Sequence, residues 1–134
     1  MSQYRQSKSR FLSLLVVLSA LLAGPLAAAE ISIIGGGDVM LGGIWEEQVA
    51  RDGYRHPFKQ VAPLLRQADL SFINLEAPLT IRGSEFTGKT FRFRVHPRAA
   101  EALKDAGITT VTLANNHSMD YGHQGLVDTL AALQ

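Results

Sequence analysis

The stretch "ALKDAGITTVTLANNHSMDYGHQGLVDTL", Ala102 to Leu130, decides how this chain is read. Ala99, Leu103 and Ala106 share one helical face, with Pro97 near the start and Gly107 just past the end, which predicts a helix with a glycine stop. "ITTVTLA" is β-branched and apolar, the composition of a buried strand. "GHQGLVDTLAALQ" then predicts a last helix with Leu126, Leu130 and Leu133 on one stripe. Between strand and last helix the chain delivers Asn115, Asn116 and His117 in a row. These side chains make ordinary turns, and they also ligate metals and move protons.

Working upstream, "DLSFINLEAPLT" predicts a strand from Leu70 to Asn74 that breaks at Pro78. "EISIIGGGDVM" predicts a short buried strand, Ile31 to Ile34, running into a glycine turn. Between these strands Ile44, Trp45, Gln48 and Val49 fall at helical spacing before Gly53. "HPFKQVAPLLRQA" is a weaker helical segment, with Pro57 suited to a first turn and Pro63 bending it. Strands alternating with helices predict an α/β fold with a largely parallel sheet flanked by helices.

The first 29 residues read differently. "MSQYRQSKSR" carries Arg5, Lys8 and Arg10 without an acid, an apolar run follows, and "PLAAAE" offers an Ala-x-Ala exit. This is the pattern of a secretory signal peptide over 1–29, with the mature chain starting at Glu30. The expected location is therefore exported, periplasmic or extracellular. The alternative is a membrane anchor by an uncleaved N-terminal segment, but the run falls short of the ~20 apolar residues that span a bilayer comfortably. There is no cysteine for lipid attachment or disulfides. Residues 30–134 carry ten Lys and Arg against twelve Asp and Glu, a balance that argues against a nucleic-acid partner. That segment reads as the N-terminal part of a larger domain.

In an open parallel sheet, functional groups gather beyond the carboxyl ends of the strands. The first strand presents Asp38, the second Asn74 and Glu76, and the third Asn115, Asn116, His117 and Asp120. Carboxylate and amide oxygens suit hard divalent cations such as Mg²⁺, Mn²⁺ or Ca²⁺. His117 is placed to ligate or to donate a proton. Each residue also has a plain reading: Asp38 as a turn residue, Glu76 as a solvated acid, the asparagines as turn formers and His117 as a satisfied core histidine.

"GDVMLGG", "ADLSFINLEAPLT" and the long stretch from Ala102 together resemble successive motifs of the CapA family of capsule synthesis proteins. The resemblance covers almost all of 30–134. It implies a calcineurin-like metallophosphoesterase fold, of which this would be the N-terminal part, and a role with poly-γ-glutamate capsules. It further implies that Asp38, Glu76 and Asn116 ligate a divalent metal and that His117 is the acid assisting the leaving group. The sequence departs from the phosphoesterase pattern at Met40, where a histidine is usual, and at Glu76, where an aspartate is usual.

Two further motifs need weighing. "GSEFTGKT", Gly83 to Thr90, has the spacing of a phosphate-binding P-loop, but that loop needs a strand before it and a helix after it. "FRFRVHP" follows instead, an extended pattern, so no nucleotide partner is expected. In that pattern Arg92 and Arg94 share one face, and they are candidates to hold an acidic capsular or cell-envelope polymer. The plain alternative is an edge strand with a charged outer face.

Three functions follow from these readings. The first is an exported, metal-dependent hydrolase or transferase acting on an acidic polymer, in company with membrane-associated capsule machinery. The second is a non-catalytic accessory that binds or helps export that polymer. The third is a truncated, inactive fragment.

Overall fold

The computed structural model describes residues 29–134. The expected signal peptide falls almost wholly outside the described residues. Among those described, no helix is long and apolar enough to cross a membrane.

Three strands form one sheet in the order β1 (Ile33–Val39), β2 (Leu70–Leu75), β3 (Thr110–Thr112), and both pairings are parallel. The helices are α1 (Glu46–Asp52), α2 (Ala62–Leu65), α3 (Ala99–Ala106) and α4 (Gly122–Ala132). The result is an α/β fold with a parallel sheet and flanking helices.

β1 differs from its expectation in length and in burial. It starts at Ile33 and runs on through the three glycines to Val39, and most of its residues are exposed. The reason lies in β2. A Cβ at Gly35 would stand 3.0 Å from the Phe72 ring, and one at Gly36 would stand 2.9 Å from Cγ2 of Ile73. The glycines let the two strands close up where side chains would hold them apart. Pairing shifts register between Gly35 and Asp38, and this shift sets Asp38 opposite Asn74.

β2 is the central strand, and its pleat sorts the core. Ser71, Ile73 and Leu75 are buried, whereas Leu70 and Phe72 remain 37% and 41% exposed on the opposite face. Ile73 and Leu75 join Phe58, Ala62, Leu65, Ala99, Leu103 and Ala106 in one hydrophobic cluster. The helices that share this cluster therefore cover the Ile73 and Leu75 face of the sheet, and Leu70 and Phe72 mark its open face among the described residues. β3 is shorter and less buried than expected, since only three residues pair with β2 and they line the outer edge. The helix preceding it stops as its sequence predicts, at Gly107 in a left-handed conformation.

α4 carries a second correction. Its leucine stripe is only partly inward: Leu133 packs against the core and Leu126 is half-buried, but Leu130 is 48% exposed, and the fully buried positions are Gly125, Asp128 and Thr129. Hydrogen bonds decide that orientation. Thr129 Oγ1 accepts the Leu79 amide at 2.8 Å and donates to the Gly125 carbonyl at 2.7 Å. Asp128 receives the Arg82 guanidinium, the Thr80 hydroxyl and the Gln124 amide. Rotating the leucines inward would strand these groups without partners, which is the costlier arrangement.

The Arg82 guanidinium, helped by Thr80 and Gln124, holds the Asp128 carboxyl well below the usual carboxylate range. A folded-state value below the unfolded one, near ~3.9, stabilises the fold above that pH, and the stabilisation fades as pH falls through the depressed value. Urea midpoints are therefore expected to fall with acidification below about pH 4. Asp128→Asn is expected to be less stable at neutral pH and to show a flatter acid limb. An unchanged acid limb in the variant would refute the assignment.

Candidate functional site

At the carboxyl ends of the three strands, side chains form a hydrogen-bonded row. Asn74 donates through Nδ2 to Oδ1 of Asp38 at 2.7 Å, and Asn115 donates through its own Nδ2 to Oδ1 of Asn74 at 2.9 Å. The same Asn115 nitrogen also reaches the Leu75 carbonyl at 2.9 Å. One amide thus faces a carboxylate on one side and a second amide on the other, which fixes which way both asparagines point. Asp38 itself stays exposed at the open edge of β1. It rims a cleft of about 530 Å³ lined by Met40, Trp45, His56 and Val61. A larger depression of about 810 Å³, beside Arg98, Lys104 and Thr110, contains none of the strand-end groups.

The turn after β3 holds the second half of the site. Asn115 Oδ1 accepts the His117 amide at 2.9 Å, an Asx-type turn that places the imidazole. His117 is only 8% exposed, and its ring packs against Phe93 with centroids 4.4 Å apart. Its Nδ1 lies 2.6 Å from Oδ2 of Asp120, a residue with no exposed surface. The same Asp120 oxygen accepts the Phe93 amide at 2.8 Å, and its other oxygen takes Nζ of Lys89 at 2.7 Å. Burial pushes the Asp120 carboxyl up, but Lys89, His117 and the Phe93 amide together outweigh it and hold the group below its ordinary value. An ionised carboxylate only accepts hydrogen bonds, so Nδ1 of His117 carries a proton. Among the described residues Nε2 has no protein partner, and no fully buried side-chain nitrogen or oxygen is left unpaired. Among the described residues Nε2 is therefore the ring nitrogen left available for a further partner.

The other expected site residues lie as follows. Glu76 stands one position beyond β2, its amide bonded to the Val39 carbonyl at 3.1 Å, and is half-buried beside the row. Asn116 is exposed, and its carbonyl accepts from Lys89. Arg92 is engaged with Glu85 and with the Lys89 carbonyl, whereas Arg94 is exposed and lies 4.8 Å over the Tyr121 ring. The two arginines sit in an irregular segment, in which Val95 makes an isolated parallel bridge to Leu79. "GSEFTGKT" contains no helix.

Whether these residues suit a divalent metal turns on their chemistry. Among the described residues no three His, Cys, Asp or Glu side chains come together as a metal cage. Two carboxylates and an amide oxygen do suit a hard cation such as Mg²⁺ or Mn²⁺, which keeps several waters and binds through one or two carboxylates.

Lys89 is the residue that sequence reasoning missed. It had been set aside with the P-loop spacing, and nothing local announces that it reaches Asp120, 31 residues on. Asn74, Asn115 and Asp120 were recognisable as strand-end groups, but their hydrogen bonds to one another become visible only in three dimensions.

Comparison with known proteins bears on this arrangement. The family model described as "Bacterial capsule synthesis protein PGA_cap" matches residues 32–134. The chain is 34% identical over 101 residues to "Capsule biosynthesis protein CapA" of Bacillus anthracis, covering 73% of this chain and 25% of that protein. It is 35% identical over 95 residues to "PGA biosynthesis protein CapA" of Bacillus subtilis (strain 168), covering 70% and 25%. A "Probable polyglutamine synthesis accessory protein" of Mycobacterium tuberculosis is 38% identical over 82 residues, covering 60% and 22%. The chain spans about a quarter of the length of these curated relatives.

Proposed function

Because the chain belongs to the bacterial capsule synthesis family PGA_cap, we propose that it is an exported protein of capsule or cell-envelope polymer synthesis, with a metal-dependent hydrolase- or transferase-like site for an acidic polymer. The observation that carries this reading is the row Asp38–Asn74–Asn115, which ends beside a histidine whose Nε2 has no protein partner among the described residues. Asp38, Glu76 and Asn116 would hold the cation through oxygen. When bound, such a cation polarises a phosphoryl or acyl oxygen and acidifies a coordinated water. The chain's own residues supply orientation and a proton. Asn74 holds the Asp38 carboxylate in place, and Asn115 ties that pair to the turn carrying His117. As water adds to the phosphoryl or acyl centre it gives a proton to Nε2, which is bare while Nδ1 holds its own proton toward Asp120. The bond to the leaving oxygen or nitrogen then breaks, and Nε2 passes that proton to the leaving atom. Arg94, exposed on the Tyr121 ring, offers positive charge to an acidic chain. Export would follow from a signal peptide over residues 1–29, and membrane-associated capsule machinery would be the partner.

Calorimetric titration of the full chain with Mn²⁺ tests the metal. Binding that is lost in Asp38→Ala and weakened in Asn116→Ala is the expected result. A folded chain that takes up no divalent ion would remove metal dependence from the proposal.

A second reading, a non-catalytic polymer-binding accessory, is favoured by the lack of a three-ligand cluster among the described residues and by Met40 at the histidine position. Polymer binding that survives the combined Asp38→Ala and His117→Ala substitutions, with no turnover in the parent chain, would select it.

A further inference from the structure

The segment Gly83–Lys89 is unused by the functions considered so far, yet it is fastened to the turn that carries His117 at several points. The Phe86 amide donates to the Asp120 carbonyl at 2.8 Å, Lys89 Nζ bonds Oδ1 of Asp120 at 2.7 Å, and the same ammonium reaches the Asn116 carbonyl. The Lys89 side chain is 28% exposed and that of Asp120 is fully buried.

We propose that Lys89 and Asp120 are positioning residues that present Nε2 of His117 for proton transfer, with the Gly83–Lys89 segment acting as a strap across the turn. The inference builds on the catalytic reading above, but its geometry stands without that reading. A buried carboxylate with a single imidazole partner would leave one oxygen and most of its charge uncompensated, an arrangement that is costly and prone to rearrange. Lys89 takes the second oxygen, so the carboxylate is filled from both sides. The Phe93 amide fixes the oxygen that faces the imidazole, and the Phe93 ring closes the imidazole's flank. The ring is thereby held by one nitrogen in a defined tautomer, with the other nitrogen unpartnered among the described residues. By also gripping the Asn116 carbonyl, Lys89 ties the backbone just before His117 to the same carboxylate. This accounts for a lysine in a loop that lacks the helix a phosphate cradle requires.

The test combines a spectroscopic readout with a kinetic one on the full chain. Imidazole ¹⁵N correlation spectra, with His117 assigned through His117→Gln, are expected to show the ring protonated at Nδ1. Lys89→Met is expected to broaden or mix that tautomer, and Lys89→Arg to restore it. Asp120→Asn is expected to abolish it, and because Lys89 is partly exposed, Lys89→Met keeps the test usable if Asp120→Asn does not fold. Where turnover is measurable, Lys89→Met is expected to lower kcat by roughly 10–100-fold with little change in KM, the range of second-sphere substitutions. A wild-type ring protonated at Nε2 and bare at Nδ1, or a Lys89→Met spectrum identical to wild type, overturns the proposal. Absence of turnover in the parent chain would instead refute the catalytic reading, while the tautomer result still decides the positioning.

Discussion

Replacing His117 with Gln is expected to lower turnover of an acidic polymer by roughly 10²–10⁴-fold, the usual contribution of a positioned general acid. Glutamine is the informative choice. Its amide can still donate to Asp120, so the buried carboxylate keeps a partner, but it cannot carry a proton to a leaving atom at neutral pH. Alanine would confound two effects, because it would also leave the buried Asp120 carboxylate without that donor and open a larger gap beside Phe93. Initial rates and thermal midpoints should be measured on the same samples. A large fall in rate with a nearly unchanged midpoint supports proton donation by Nε2. Wild-type rates in His117→Gln would assign the imidazole to packing alone, and the site would then act through its oxygen groups or not at all.

The fold was legible where pattern and burial agree. α3 combines a clean apolar face with a glycine stop, and it appears at the expected place. β2 has its apolar run at the centre of the sheet, so its propensity and its environment coincide. Misreadings came where neighbours decide. Glycines normally end a strand, but β1 continues through them because Phe72 and Ile73 need the space that side chains would fill. The leucines of α4 share one stripe, yet Leu130 is exposed and Thr129 and Asp128 face inward because Leu79, Thr80 and Arg82, some fifty residues upstream, supply their partners. No local window contains those partners.

The site divides along the same line. That Asp38, Asn74 and Asn115 would share one edge follows from parallel order alone, and their hydrogen-bonded row bears this out. Their order of contact depends on the register shift in β1, which a sequence pattern does not encode. The grouping around Asp120 was half visible: its spacing from His117 could be read, but its pairing with Lys89 could not. A lysine inside a familiar spacing had drawn the wrong question, whether it holds phosphate, when its ammonium is engaged by a carboxylate of the same chain.

Gly83 and Gly88, the two glycines of that spacing, separate the two accounts by stability. Gly83→Ala is expected to cost roughly 2–5 kcal/mol, summing left-handed backbone strain with overpacking. Its φ is +86°, and a Cβ there would collide with the Tyr121 carbonyl, a backbone atom that cannot swing aside. The collision would also push the strap away from the turn that holds Asp120, so the Nδ1 signature of His117 should weaken in the same variant. At Gly88 a Cβ would meet only the Phe86 ring at 3.0 Å, and that side chain is 54% exposed and free to turn. Gly88→Ala is therefore expected to fall within about 0.5 kcal/mol of wild type, as surface substitutions usually do. A phosphate cradle would make the opposite demand, because Gly88, next to the lysine, is where the backbone would have to approach the ligand. Urea unfolding of both variants decides between the accounts. Near-native stability in Gly83→Ala would remove the strap, and a larger loss in Gly88→Ala would mean the loop is built for something other than holding the His117 turn.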